Sequence, residues 1–577
     1  MMLLAKPYAA FVARHMFVVT ATRLTIGAPS CEASWPRNGA GWFSDGVQQR
    51  PLPEATFKEN STVPPNSLTS RYATARMLRR ICGFVFASLA AIAGCGGDDP
   101  TQAERASLTI EASAEGASPF IHTLPVKVNP VEQVNAFTFT IAPKTGTVSK
   151  PVHVTQSVAY LKRLGRFNAN TQIIDIPIFG LYAGYDNQVT VEVRYADGSS
   201  SSFRRTITTS AYTDHFSTYD RLTILRARTA QDSLGFDFMV LKSNLGGQVV
   251  VDTDGNVRWT AGPLPPALSV LFTGEAFLIG SQDSPTMRTA YFDGSVVMGA
   301  AQSSNYTQFH HNIDFGKQGY LAEFNAVING QTHIESVLAE IDGAGNVLRE
   351  WDFAEIITNH MTAAGDNASA FVRPGADWFH MNAATYDPTD DTIIASSREN
   401  FLIKVRYSDK SIVWILGDPT KYWYSFPSLR AKAVTLAAGG LYPIGQHSVS
   451  VLKNGDVMIF NNGHPSTQQP AGAPVGESRP YSFANAYRID ASTLIATETW
   501  RFDQGQAVSS IVCSSAYQSD DGSALINYSR ASNGTKARIV GVDPNRNIVF
   551  DFEFPSGPIC QTSFNATVVP MDRLELR

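Results

Sequence analysis

The sequence predicts an all-β protein, a β-propeller of six repeats preceded by a small antiparallel β-sandwich. Three observations lead there. Gly and Pro are frequent, at 43 and 31 of 577 residues, and only 17% of residues are charged, a mix that suits many short strands joined by tight turns. The stretch from Ser107 to about Ser210 alternates apolar and polar residues with a period of two. From about Tyr219 onward, one unit with an acidic turn and an aromatic-ended strand returns six times.

A chain of 577 residues is too long for one ordinary core, so more than one domain is expected. Its N-terminus carries an export signal. Residues 78–95 read LRRICGFVFASLAAIAGC: Arg79 and Arg80 form a positive flank, an apolar stretch runs from Ile81 to Ile92, and small residues follow. The ending Ile-Ala-Gly-Cys resembles a bacterial lipobox, in which Cys95 would be acylated and become the mature N-terminus. Met77 directly precedes the signal, so residues 1–76 read as a mis-called extension. The competing reading is a genuine tail before a membrane helix, but the apolar run is short for a span. Residues 77–94 are then a lipoprotein signal peptide and 95–106 a small, polar tether. Cys513 and Cys560 are the cysteines left in the folded part; an oxidising compartment permits a disulfide between them, although spacing does not establish their proximity.

The sandwich is assigned to residues 107–212. LTIEAS, FTFTIA, HVTQSVAYL, QVTVEVRYA and SFRRTITTS are its strand candidates, separated by turn signals such as Lys144-Thr145-Gly146 and Asp197-Gly198. Residues 213–577 are assigned to the propeller. The six copies of its unit are Val249–Trp259, Thr289–Val297, Leu338–Trp351, Ile403–Trp414, Tyr487–Trp500 and Val540–Phe552. Asp, Gly and Asn at their turns supply the left-handed conformations that tight hairpins need. Such a unit cannot bury both faces alone, so copies must stack on one another. A parallel β-helix ranks below, because its repeats are shorter and lack this hairpin pattern.

Three repeats carry a histidine at the same point, just before a strand: Gln308-Phe309-His310-His311-Asn312, Trp378-Phe379-His380-Met381-Asn382 and Gly445-Gln446-His447-Ser448. Equivalent positions in successive blades point to the same end of a central channel, so three imidazoles are expected to meet there. They could bind a metal, as zinc sites do, or one could be a nucleophile while the others bind an anion. Arg398, on the strand after His380, favours the anion, because a guanidinium disfavours a dication and matches sulfuryl or phosphoryl oxygens. There is no P-loop or Rossmann fingerprint, so a nucleotide donor such as PAPS is not expected. Neither H-E-x-x-H nor G-x-S-x-G occurs, nor does the C-x-P-x-R run of a formylglycine sulfatase. A net charge of −5 without a dense basic tract gives no reason to expect nucleic acid.

From about residue 107 the chain resembles the bacterial, PAPS-independent arylsulfate sulfotransferase family. Three segments carry the resemblance: Ile176-Pro177-Ile178-Phe179-Gly180-Leu181-Tyr182 with Tyr185-Asp186-Asn187; Asp377 to Asn382 with Ser396-Ser397-Arg398 and Trp414-Ile415-Leu416-Gly417; and Gln446-His447 with Phe460-Asn461-Asn462-Gly463. The resemblance implies a six-bladed propeller, an N-terminal domain that helps a homodimer form, and ping-pong transfer from a phenolic sulfate to an acceptor phenol without metal or cofactor. His447 matches the nucleophile, a transient sulfohistidine. His380 and Arg398 match groups that hold the sulfuryl oxygens, with Asn382 beside them on substrate. His310 or His311 matches the acid/base, and spacing leaves the choice open. Cys513 and Cys560 do not match the short-loop disulfide of some relatives. The expected location is the periplasmic side of a bacterial membrane, with a lipid anchor as the sole membrane contact. The competing functions are a metal-dependent propeller hydrolase or lyase using the same histidines, and a non-catalytic binding propeller.

Overall fold

The computed structural model describes residues 106–262, 264–557 and 560–577. The expected extension, signal peptide and Cys95 lie outside the described residues. Among the described residues no helix is long and apolar enough to cross a membrane.

The period-2 stretch forms two facing sheets. One contains Ser107–Ile110, Ala114–Glu115, Ile121–Asn129, Phe167–Asn168 and Ile173–Phe179; the other contains Val134–Ile141, Val152–Ser157, Asp186–Tyr195 and Ser200–Thr208. Their inward residues, among them Phe137, Phe139, Ile176 and Phe179, are buried in one core. The strand Leu574–Leu576 also belongs here, pairing in parallel with Val154–Gln156. The expectation of a propeller reaching residue 577 is therefore corrected: the last strand returns to the sandwich and completes its edge. An alternating Leu-Glu-Leu triplet carries no mark of which sheet it will join.

Residues 223–568 form six separate sheets of four or five strands. Each of the six repeated units is a hairpin at the outer side of one sheet. The acidic turn residue explains the recurrence. Asp252 Oδ1 accepts the N–H groups of Asp254 and Asn256 at 3.1 and 2.9 Å, and Asp342 and Asp543 cap their turns in the same way, the Asx-turn chemistry that closes a tight loop. Trp259, Trp351 and Trp414, at hairpin ends, are buried.

The ring is closed by exchange at its ends. Asn565–Val568 supplies a strand to the sheet of Phe238–Thr260, and Thr223–Arg226 pairs with Ile548–Pro555 of the last sheet. The first strands of successive sheets touch one another and form the wall of the channel. The sandwich is locked on by Arg258. Its guanidinium donates to Gly180 O at 2.7 and 3.1 Å and to Asp252 Oδ2 at 3.0 Å, and lies 3.6 Å over the Tyr182 ring. The segment Phe179-Gly180-Leu181-Tyr182 thus serves as the dock between domains.

Candidate active site

His380 directly precedes the strand Met381–Asp387 and His447 opens His447–Val451, as expected, whereas His310 and His311 lie in the middle of Tyr306–Phe315, a correction to their expected place just before a strand. Bulges interrupt pairing between Phe309 and Ile313, between Met381 and Ala383, and between His447 and Ser450. His380 and Ser448 take left-handed backbone conformations, with φ of 49° and 55°. A bulge re-aims a side chain from the sheet face, and these irregularities accompany the meeting of the rings: the His311 centroid lies 4.0 Å from that of His310 and 4.9 Å from that of His380. Non-glycine residues in this region cost on the order of 1 kcal/mol each and concentrate at functional sites.

His447 is buried, with 1% exposure. Its Nδ1 lies 2.8 Å from Asn462 Oδ1 and 3.1 Å from Gly445 O. Asn462 Nδ2 donates to the carbonyls of Ser510 and Cys513 at 2.7 and 2.9 Å, which leaves its oxygen facing the ring. Nδ1 therefore carries the proton, and Nε2 is the acceptor, taking the Cys513 N–H at 3.2 Å. Burial and then the Arg398 charge push this imidazole down to about 3, so it is neutral across the physiological range. Gly445 is required: its φ is 60°, and a Cβ there would sit 2.5 Å from His464 O.

His380 has the opposite electrostatics. Its Nδ1 lies 2.7 Å from Asp377 Oδ2 and 3.0 Å from Glu335 Oε2. Burial alone would lower it, but the two carboxylates overcome that and raise it to about 9, making it an imidazolium. Arg398 donates its backbone N–H to His380 O at 3.0 Å. Its guanidinium is held by the Glu399 carboxylate and, at 3.3 Å, by Thr467 Oγ1. Glu399 is itself fixed by the N–H groups of Thr467 and Gln468, at 2.7 and 2.9 Å. The loop after Gly463 thereby closes over this cation.

The two neighbouring histidines divide. His311 lies 3.1 Å from Met381 O through Nδ1, so Nδ1 holds the proton and Nε2 the lone pair. Burial, and then the charges of His310, His380 and His447, lower it well below 6.5. Its ring stacks on Phe564 with centroids 5.3 Å apart, and Phe564 in turn meets the His447 ring edge-on at 6.3 Å. His310 turns away to Glu335, Nε2 to Oε1, at 2.7 Å.

The structure thus brings His310, His311, His380, Arg398 and His447 together. Asn382 is buried below them and donates Nδ2 to Gln446 O at 2.8 Å, so it braces the segment leading into His447. Cys513 and Cys560 form a disulfide with Cα atoms 6.6 Å apart. Five residues without an assigned role in the sequence reading hold the others in place: Glu335, Asp377, Glu399, Asn462 and Phe564. Asp377 and Asn462 stand inside the motifs of His380 and His447, so proximity in sequence was a usable signal. For Glu335 there was none. Chemically, a neutral buried imidazole beside an imidazolium and a guanidinium can bind an oxyanion and attack its central atom.

A family model described as Arylsulfotransferase (ASST) matches residues 217–565, and one described as Arylsulfotransferase Ig-like domain matches residues 122–212. The chain is 26% identical over 214 residues to the Arylsulfate sulfotransferase AssT of Escherichia coli O6:H1, covering 30% of this chain and 35% of that protein. It is 22% identical over 511 residues to the protein of the same name from Lelliottia amnigena, covering 68% of this chain and 83% of that one. A solved structure, the Myceliophteria thermophila Cps50 (Swd1) beta-propeller domain, covers 58% of this chain and 89% of its own at 10% identity, with a TM-score of 0.32, too low to carry weight. With one model spanning more than half of the chain and the other its N-terminal sandwich, the chain belongs to the arylsulfotransferase family.

Proposed function

We propose that the protein is an aryl-sulfate sulfotransferase that moves a sulfuryl group from a phenolic sulfate ester to an acceptor phenol through a sulfohistidine at His447, without PAPS. The observation that carries this reading is the state of His447: buried, neutral, with Nδ1–H anchored on Asn462 and the lone pair on Nε2. In the first step Nε2 attacks sulfur. The N–S bond forms, the S–O bond to the aryl group breaks, and the phenolate leaves with the electron pair. The weak hydrogen bond from Cys513 N–H is given up by Nε2. In the second step the acceptor oxygen attacks sulfur, the N–S bond breaks, and the acceptor's proton goes to a base.

His311 is that base, in preference to His310. Its Nε2 carries the lone pair and its ring lies beside the Phe564 wall shared with His447, whereas His310 Nε2 is taken up by Glu335. Donor and acceptor are chemically alike, so the same group returns a proton to the leaving phenolate when the step runs in reverse. His380 and Arg398 receive the charge on the sulfuryl oxygens. Asn382 acts on the His447 segment.

One observation favours a second reading, a metal-dependent hydrolase or lyase: the ligand atoms of His310, His311 and Glu335, and those of Glu335, Asp377 and His380, lie within 4.8 Å of one another. The test is nitrophenol release from 4-nitrophenyl sulfate with phenol and EDTA and without PAPS, for wild type and His447→Ala. Release that requires phenol and vanishes in the variant supports the sulfotransferase. Release abolished by EDTA and restored by a divalent metal selects the second reading, and undiminished release by His447→Ala rejects the nucleophile.

The proposal extends to place and assembly: an exported homodimer tethered through acylated Cys95. The signal-like run ending in Cys95 and a disulfide in the folded part support export. Labelling with a radioactive fatty acid, lost in Cys95→Ser, checks the tether.

A further inference from the structure

Glu335 belongs to the strand Gln331–Ile341, which does not line the channel, yet its carboxylate reaches the channel wall. Pairing with Tyr320–Ile328 slips between Phe324 and Ala326, so that Asn325 faces the segment between His333 and Val337. Within that bulge Glu335 has a φ of 47°, and its N–H is taken by Asn325 Oδ1 at 2.7 Å. A side chain that would lie in the sheet is swung inward. The residue is 8% exposed. Oε1 sits 2.7 Å from His310 Nε2; Oε2 sits 3.0 Å from His380 Nδ1 and 3.6 Å from His311 Nδ1. Oε2 has no hydrogen-bond partner; the Nδ1 proton of His380 is directed to Asp377. A buried carboxylate oxygen aimed at an imidazole without bonding it acts through charge.

We propose that Glu335 is a positioning residue for sulfuryl transfer: it ties His310 and His380 of successive sheets together and holds His380 as the cation that receives the sulfuryl oxygens. The inference rests on the sulfotransferase reading for its purpose, but its physical content is a contact: one buried carboxylate spans His310 Nε2 at 2.7 Å and His380 Nδ1 at 3.0 Å. The groups facing His380 are Asp377 from its own loop, Glu335 and Glu323 from the preceding sheet, His310 and His311 from that sheet's first strand, Arg398 and Glu399 from the strand end that follows, and His447 from the next sheet. Arg398 opposes a positive His380. Asp377 and Glu335 are the carboxylates in direct contact, at 2.7 and 3.0 Å, so deleting the Glu335 charge leaves Asp377 as the one close anion.

The test is Glu335→Gln, which keeps shape and removes charge. An opposite charge at this range moves a titration by about 1 to 3 pH units. Histidine NMR should therefore show the His380 midpoint falling from about 9 by about 1 unit or more, and the alkaline limb of kcat/KM should move with it. A folded Glu335→Gln protein whose His380 midpoint stays in place overturns the inference. The NMR readout needs no turnover, so a wild type that transfers no sulfuryl group would reject the functional reading and leave this test intact. If Glu335→Gln does not fold, Glu335→Asp keeps the charge one methylene further away; a smaller fall in the same midpoint is expected, and no fall overturns the inference.

Discussion

Replacing Asn462 with Ala should slow formation of the sulfohistidine without weakening binding of the aryl sulfate. Asn462 Oδ1 holds the Nδ1–H of His447 at 2.8 Å, and no contact of Asn462 faces the place where the ester must sit. As the N–S bond forms, the ring gains positive charge, so this hydrogen bond strengthens from the neutral to the charged class. Hydrogen bonds to charged groups contribute about 1.5–3 kcal/mol, which corresponds to about 10- to 150-fold in rate. The remaining acceptor, Gly445 O at 3.1 Å, keeps the ring from flipping freely and sets the lower end of that range. The variant also removes the Asn462 donor from the Cys513 carbonyl, whereas the Ser510 carbonyl keeps the Ser482 hydroxyl at 3.1 Å; an orphaned buried acceptor costs stability by about 1–3 kcal/mol. The assay is a single-turnover burst of nitrophenol in stopped flow, with unfolding followed in parallel. The predicted pattern is a burst rate down at least tenfold with KM nearly unchanged. A burst rate within twofold of wild type in a folded variant, or a loss carried by KM alone, refutes the argument that Asn462 sets the nucleophile.

Transfer should depend on pH with a broad plateau. His447 reacts when neutral, above about 3, and His380 binds the sulfuryl oxygens when protonated, below about 9; kcat/KM should therefore fall as pH rises through about 9, and a profile still rising there would contradict the role given to His380. Removal of the disulfide by Cys560→Ser should act on both stability and turnover. The closed loop has a sequence separation of 47, for which chain entropy gives about 4 kcal/mol. Cys513 also gives its N–H to His447 and its carbonyl to Asn462, so a Cys560→Ser protein with unchanged transfer would show that this network needs no covalent anchor.

The sandwich sheets follow from period-2 alternation, because a strand with one buried face must alternate. The six hairpins follow from turn chemistry: the Asp that opens each turn caps it with its own carboxylate, a purely local interaction. Local rules of this kind are readable wherever they occur. The histidines were readable for a related reason, since a repeat places equivalent positions at equivalent points around an axis.

What remained hidden depends on contacts between residues distant in the chain. The strands that close the ring, Asn565–Val568 and Thr223–Arg226, look like any others, and nothing local tells Leu574–Leu576 to leave the propeller for the sandwich. Phe564, the wall between His311 and His447, comes from the chain's far end. Glu335 sits two residues from His333 in a strand whose pattern predicts no bulge. Only the packed structure gives it a left-handed backbone and turns its carboxylate to His310 and His380. By itself the sequence determined the strands, the turns, the repeat and which imidazoles would meet, because each is set by neighbours in the chain or by symmetry. Which imidazole is neutral, which is charged and which is tied to a carboxylate was decided by the tertiary structure, because burial and the distance between charges exist only once the sheets have closed around the channel.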